Sequence, residues 1–133
     1  MEFGKFDEVW QLGEGATAEE LAYLRTRMDY TFPEDFEYFY LQHNGSIGTL
    51  NGIAIEFWDL EQIISFNEIY EDAINGEFVF FSSSDEGYDG YAYQKASNQI
   101  FVFPIDCGVD DISSGKHCAN NLCELFSYWE NNN

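Results

Sequence analysis

Positive charge is what this sequence has least of. Five basic residues, Lys5, Arg25, Arg27, Lys95 and Lys116, stand against 25 acids in 133 residues, giving a formal net charge of −20. Phosphate backbones are held by clustered Lys and Arg, so the composition argues against a direct nucleic-acid partner. The acidity would attract a basic partner and speed the encounter at low salt, or it would serve solubility alone. No apolar run is long enough to cross a membrane, and the first residues lack the basic, apolar and small-residue order of a secretion signal. A cytoplasmic protein is expected. Cysteine is also scarce: Cys107, Cys118 and Cys123 make an odd count, which suits a reducing compartment better than a disulfide framework. No CxxC pair accompanies His117-Cys118, and His43 is remote in sequence, so no zinc site is expected.

Motifs that carry chemistry are missing as well. Gly13-Glu14-Gly15 lacks the further glycine and the preceding strand of a phosphate-binding loop. Ser82-Ser83-Ser84 has no histidine at a suggestive spacing and is assigned to turn chemistry. Asp85, Glu86 and Asp89 share only their charge with a calcium loop, without its alternating ligands or terminal glutamate. Acids are so frequent that no catalytic pair stands out. The expectation is a protein with no catalytic residues, no cofactor and no metal.

What is present is apolar surface. Hydrophobic residues make up 45% of the chain and aromatics 19%, enough for one packed domain over residues 1–133 with its core at about 17–129. The organising stretch is Thr31 to Gly45. Pro33 suits a first helical position, Glu34, Asp35 and Glu37 favour the first turn, and Phe36, Phe39 and Tyr40 share a face that His43 continues. Asn44-Gly45 supplies the stop. Ahead of it, Phe3, Phe6, Val9 and Trp10 suit a short helix or an extended arm. Thr17-Ala18-Glu19-Glu20 is a capping box opening a helix with Leu21, Leu24 and Met28 on its inner stripe.

After Gly45 the period becomes two. Asn51-Gly52 marks a tight turn, and Ile53, Ile55 and Phe57 alternate with Ala54 and Glu56 as a half-buried strand. Asp59 caps a helix with Leu60, Ile63 and Ile64 inside, expected to fray around Asn67. Phe78 to Phe81 suits a central strand covered on both faces. Ser82 to Gly90 is expected as a polar loop, Tyr91 to Lys95 and Gln99 to Phe103 as a hairpin, and Asp106 to Gly115 as loop. Asn121 and Glu124 cap a terminal helix whose inner face is Leu122, Leu125, Phe126 and Trp129; the last asparagines, Asn131 to Asn133, should fray. The fold class is therefore α+β: a central, mostly antiparallel sheet flanked by N-terminal helices and a C-terminal amphipathic helix.

This order of signals resembles the SUKH superfamily, the Smi-type domain of bacterial immunity proteins and fungal cell-wall regulators. The resemblance rests on LAYLRTRM, on Phe32-Pro33-Glu34-Asp35-Phe36 with Tyr38-Phe39, and on Asn44-Gly45, similar to the family's Leu-Pro-x-x-Tyr-x-x-Phe-Leu followed by Asn-Gly. Ile53-Ala54-Ile55 with Ile63-Ile64 and Asn67, the strands at Phe78, Tyr91 and Ile100, and the closing helix continue it across roughly residues 17–129. One departure is Gly87-Tyr88-Asp89-Gly90, where members usually carry Gly-Gly-Asp or Gly-Asp.

The resemblance implies a non-enzymatic immunity protein that binds and neutralises a cognate toxin domain, often a nuclease. The alternative it offers is a regulatory scaffold with no toxin partner. Nucleases carry basic surfaces against phosphate, and the acidity here complements one. Candidate partner-binding residues are the loop positions Asp85, Glu86, Tyr88, Asp89, Asp110 and Asp111, with Glu56, Trp58 and Glu61 as a second group. Trp58 has an ordinary core role as its alternative. Either a monomer or a weak homodimer paired through a strand edge fits the sequence.

Overall fold

A computed structural model describes residues 11–50, 52–106, 108–109 and 112–131. The described chain opens with the short strand β1 (Gln11–Leu12), followed by helices α1 (Ala18–Met28) and α2 (Glu34–Gln42). Strands β2 (Ser46–Leu50) and β3 (Ile53–Phe57) form a hairpin that leads into α3 (Leu60–Ile69) and the one-turn α4 (Glu71–Ile74). Strands β4 (Phe78–Ser84), β5 (Asp89–Gln94), β6 (Ile100–Pro104) and β7 (Lys116–Ala119) follow, and α5 (Leu122–Asn131) closes the chain. Among the described residues these seven strands form one sheet in sequence order, β1 to β7. Every neighbouring pair is antiparallel. The α+β architecture expected from the sequence is the one found.

Local signals account for the helix starts. Thr17 and Glu20 close a reciprocal capping box on α1, and Asp59 and Gln62 close another on α3, each satisfying N–H groups that a first turn leaves unpaired. Pro33 stands one position earlier than expected, as the N-cap of α2 with φ −58°. Asn44 does more than mark a stop. Its Oδ1 accepts the Leu60 N–H at 2.9 Å, so the residue that follows α2 also caps α3.

Aromatic rings fill both faces of the sheet. On one face α2 and α5 cover Phe57, Phe81, Tyr91 and Tyr93. Phe39 lies 4.9 Å from Phe57, Phe36 lies 5.9 Å from Tyr93, and Trp129 lies 5.2 Å from Tyr91, between ring centroids. On the other face Phe66 of α3 lies 5.4 Å from Phe80, which meets Phe103 at 5.0 Å. Every residue of β4 is buried, as a strand covered on both faces must be. Polar ties fix α1 to its neighbours: Arg25 pairs with Glu37 of α2 at 2.5 Å, Arg27 pairs with Glu68 of α3, and Lys95 Nζ donates to the Met28 carbonyl at 2.6 Å.

Several expectations are corrected. α3 does not fray at Asn67 but runs on to Ile69, with Asn67 buried. Ser82, Ser83 and Ser84 are not loop; they are buried strand residues. Their burial is possible because each hydroxyl is paired: Ser82 donates to the Glu56 carbonyl at 2.8 Å, Ser83 accepts from the Trp58 indole at 3.1 Å, and Ser84 meets the Tyr91 hydroxyl at 2.7 Å. The expected long loop shrinks to a 3-10 turn at Asp85–Gly87 followed by Tyr88. Strand β7, Lys116–Ala119, carried no assignment from the sequence. The arm at Phe3 to Trp10, Asn51, and the end of the tail beyond Asn131 lie outside the described residues.

Candidate binding surface

The tight turn between β4 and β5 gathers Asp85, Glu86, Tyr88 and Asp89. Asp85 takes a left-handed conformation at φ 55° and Gly87 follows at φ 94°, which lets one 3-10 turn reverse the chain. The Tyr88 carbonyl accepts the Ile105 N–H at 2.9 Å, while its side chain remains 55% exposed. The backbone is thus anchored and the ring is presented. Asp89 begins β5 and is half-buried. Burial first, then the nearby charges of Asp85 and Asp106, push its carboxyl above the usual range. Like charges that converge on a partly desolvated carboxylate disfavour its ionised form. Glu86 lies within the same turn. Both glycines of Gly87-Tyr88-Asp89-Gly90 have structural roles: Gly87 takes a positive φ, and a Cβ at Gly90 would approach the Ile105 side chain at 2.7 Å.

The turn packs against β3, which brings it beside the second group. Ile55 pairs with Ser84 and Glu56 with Ser83, so Glu56 stands one strand away from the base of the turn. Glu61 is exposed in the first turn of α3. Trp58 belongs to the core: it is 7% exposed, packs 4.7 Å from Phe66, and donates to Ser83. It offers a partner no surface. Asp110 and Asp111 lie outside the described residues.

The structure adds residues that the sequence did not single out. Asp106 joins Asp85 and Asp89 through its charge. Ile47, 53% exposed, is the cross-strand partner of Glu56. These two line a hollow of about 280 Å³ together with Gly13, Gly45, Asp59 and Gln62. A larger hollow of about 410 Å³ lies between the end of α1 and the α3–α4 turn. Its cations are committed, Arg27 to Glu68 and Tyr23, and Lys95 to the Met28 carbonyl.

Gly13-Glu14-Gly15 finds a structural role. The Gly13 and Ala16 N–H groups donate to the carbonyls of Gly45 and Tyr40 at 2.9 and 2.8 Å, and the Glu14 carbonyl accepts from Asn44 at 2.7 Å. The segment is a strap over the C-terminal end of α2, satisfying groups that a helix end leaves open. Among the described residues no three of His, Cys, Asp and Glu converge as a metal-holding group, and no helix is long and apolar enough to cross a membrane. Cys123 is exposed, whereas burial pushes the Cys118 thiol up to about 12.

A family model described as the SMI1 / KNR4 family (SUKH-1) matches residues 15–128. The chain belongs to that family. A Bacillus subtilis (strain 168) protein carrying the name "Uncharacterized protein YnaB" is 30% identical over 124 residues, covering 92% of this chain and 79% of its own. The SUKH-1 match begins in the strap at Gly15 and ends within α5, so it takes in both faces of the aromatic core and the Asp85 turn. Asn44-Gly45 and Asn67, on which the resemblance partly rested, turn out to be joints of this SUKH-1 domain: one connects two helices, the other ties a helix to the sheet.

Proposed function

We propose that this protein is a non-enzymatic immunity protein, acting in the cytoplasm, that neutralises a cognate toxin domain by covering its active or substrate-binding surface. The toxin domain in this reading is a basic nuclease. The observation that carries it is the Asp85 turn: a partly buried Asp89 carboxyl that feels the charges of Asp85 and Asp106, beside an exposed tyrosine on an anchored backbone. A cationic partner surface would offset those charges, and a fixed aromatic ring suits the centre of an interface. The net charge of −20 supports fast, steered association. Membership of the SMI1 / KNR4 family is compatible with the immunity role.

In this reading Asp85, Glu86, Tyr88 and Asp89 are the main contacts, Glu56 and Glu61 flank them, and Asp110 and Asp111 are further contacts. The test is co-expression with the C-terminal domain encoded beside this gene, scoring growth and sizing any complex. Rescue with a stoichiometric complex, association that slows steeply with added salt, and slower association of an Asp85→Lys, Glu86→Lys, Asp89→Lys variant are expected. Toxicity without rescue, while the protein is folded, rejects that partner in favour of the regulatory scaffold. An unchanged association rate for the triple variant removes the turn from the interface.

A further inference from the structure

Among the described residues the β2–β3 hairpin has one face packed in the core and one with exposed side chains. Cross-strand partners share a face, and Ser46–Phe57 and Gly48–Ile55 turn inward, where Ser46, Ile55 and Phe57 are buried. The outward pairs are Ile47–Glu56 and Thr49–Ala54; Ile47, Thr49 and Ala54 are exposed, and Glu56 is half-buried. This is the α3 side of the sheet. Glu56 pairs with Ser83, whose hydroxyl meets the Trp58 ring that packs on Phe66. α3 covers that side farther along, at Phe80, and Ile47, Thr49 and Ala54 of the hairpin remain exposed among the described residues.

The hollow of about 280 Å³ sits at the junction. Ile47 and Glu56 form its sheet wall, Asp59 and Gln62 from the start of α3 form the other, and Gly13 and Gly45 contribute no side chains between them. The Glu56 carboxylate has no hydrogen bond or ion pair among the described residues, and Asp59 commits Oδ1 to the Gln62 N–H at 2.8 Å. Both acids act on the Tyr40 hydroxyl, so their fields overlap. A hollow with carboxylates on two walls and an apolar rim matches a long basic side chain, whose stem is apolar and whose head accepts carboxylate partners.

We infer that the open face of this hairpin is a docking surface for a basic protein, with one arginine or lysine of that partner seated between Glu56 and Asp59 and its stem on Ile47. The inference rests on the reading above that the partner is basic, and charge complementarity selects the occupant. Across β3 the surface is continuous with the Asp85 turn, so both would lie under one partner.

Short random peptides displayed on phage and panned on the full-length protein test this directly. Recovered clones are re-assayed on Ile47→Asp, Glu56→Lys and Thr49→Ala, each first shown to melt like the wild type. Peptides rich in Arg or Lys next to an apolar residue are expected, binding Ile47→Asp and Glu56→Lys about tenfold or more weakly and Thr49→Ala nearly as the wild type. Failure to enrich, enrichment without basic residues, or equal binding to all variants overturns the inference. The growth rescue assay separates it from its premise. Equal rescue by the wild type and Ile47→Asp removes the hollow and leaves the immunity reading standing. Discriminating peptides without wild-type rescue do the reverse.

Discussion

Asn67 and Phe80 hold each other by two hydrogen bonds: the Asn67 amide donates to the Phe80 carbonyl at 2.9 Å, and the Phe80 N–H donates to Asn67 Oδ1 at 2.8 Å. The pairing of β3 with β4 runs only from Ile55–Ser84 to Phe57–Ser82. Beyond it, a primary amide on α3 takes the place of the missing strand. The side chain also donates to the Ile63 carbonyl at 2.7 Å, which fixes its orientation.

Replacing Asn67 by leucine would leave both Phe80 backbone groups buried and unpaired. Each such group costs about 1–3 kcal/mol, so a loss of about 2–6 kcal/mol is expected in urea unfolding. A loss near zero would show that the amide is not what satisfies this strand.

Two buried tyrosines should respond in opposite ways to losing a hydroxyl. Tyr40 donates to the Trp58 carbonyl at 2.6 Å, tying α2 to the end of β3. The Tyr93 hydroxyl is buried without a hydrogen-bond partner among the described residues. Tyr40→Phe should cost about 1–2 kcal/mol, whereas Tyr93→Phe should be neutral or stabilising by up to about 1 kcal/mol. Thermal melts of the two variants, measured together, decide it; equal losses would contradict the assignment.

Gly15 is required by proximity. A Cβ there would collide with the Leu41 carbonyl oxygen, a backbone atom that cannot step aside without moving α2. Gly15→Ala should destabilise by about 2–3 kcal/mol through this overpacking. Glu14→Ala, at an exposed neighbouring position, should change little. A lowered melting temperature for both would point to the strap's sequence in general, not to the close approach.

Asp89 gives a pH signature. Its carboxyl titrates above the ordinary range in the folded chain, chiefly through burial and then through Asp85 and Asp106. Between the unfolded and folded values the native state holds more protons, so its contribution to stability declines as pH rises through that window. Asp89→Asn should flatten this part of the profile and raise stability at neutral pH, measured as urea midpoints from the acid side to neutrality. A lower neutral midpoint would mean that the carboxylate makes a favourable contact.

Much of the fold was legible because its signals are local. Thr17 with Glu20 and Asp59 with Gln62 are capping boxes whose two halves lie three residues apart. Leu122, Leu125, Phe126 and Trp129 announce α5 by spacing alone, and all four are buried. The serines after Phe81 misled for the opposite reason. Their partners Glu56, Trp58 and Tyr91 come from two other strands and a loop, and nothing local distinguishes a paired buried hydroxyl from a turn serine. Asn67 was misjudged in the same way, since Phe80 lies on another element. The candidate surface was legible in charge but not in shape. Asp85 and Glu56 stood out as acids, whereas Ile47 emerges only when one knows which face of the hairpin is left bare.

The strand order has a temporal meaning. Because neighbours in the sheet are consecutive strands among the described residues, the hairpins β2–β3, β4–β5 and β5–β6 can form locally as the chain leaves the ribosome. The closure by α5 is distant. Trp129, from the last helix, must return to Phe57 and Tyr91, 5.7 and 5.2 Å away between ring centroids. Synthesis of the final turns is therefore the step that completes the cover over the early hairpin, and a chain cut short before α5 would leave Phe57 with Phe39 of α2 but without Phe126 and Trp129.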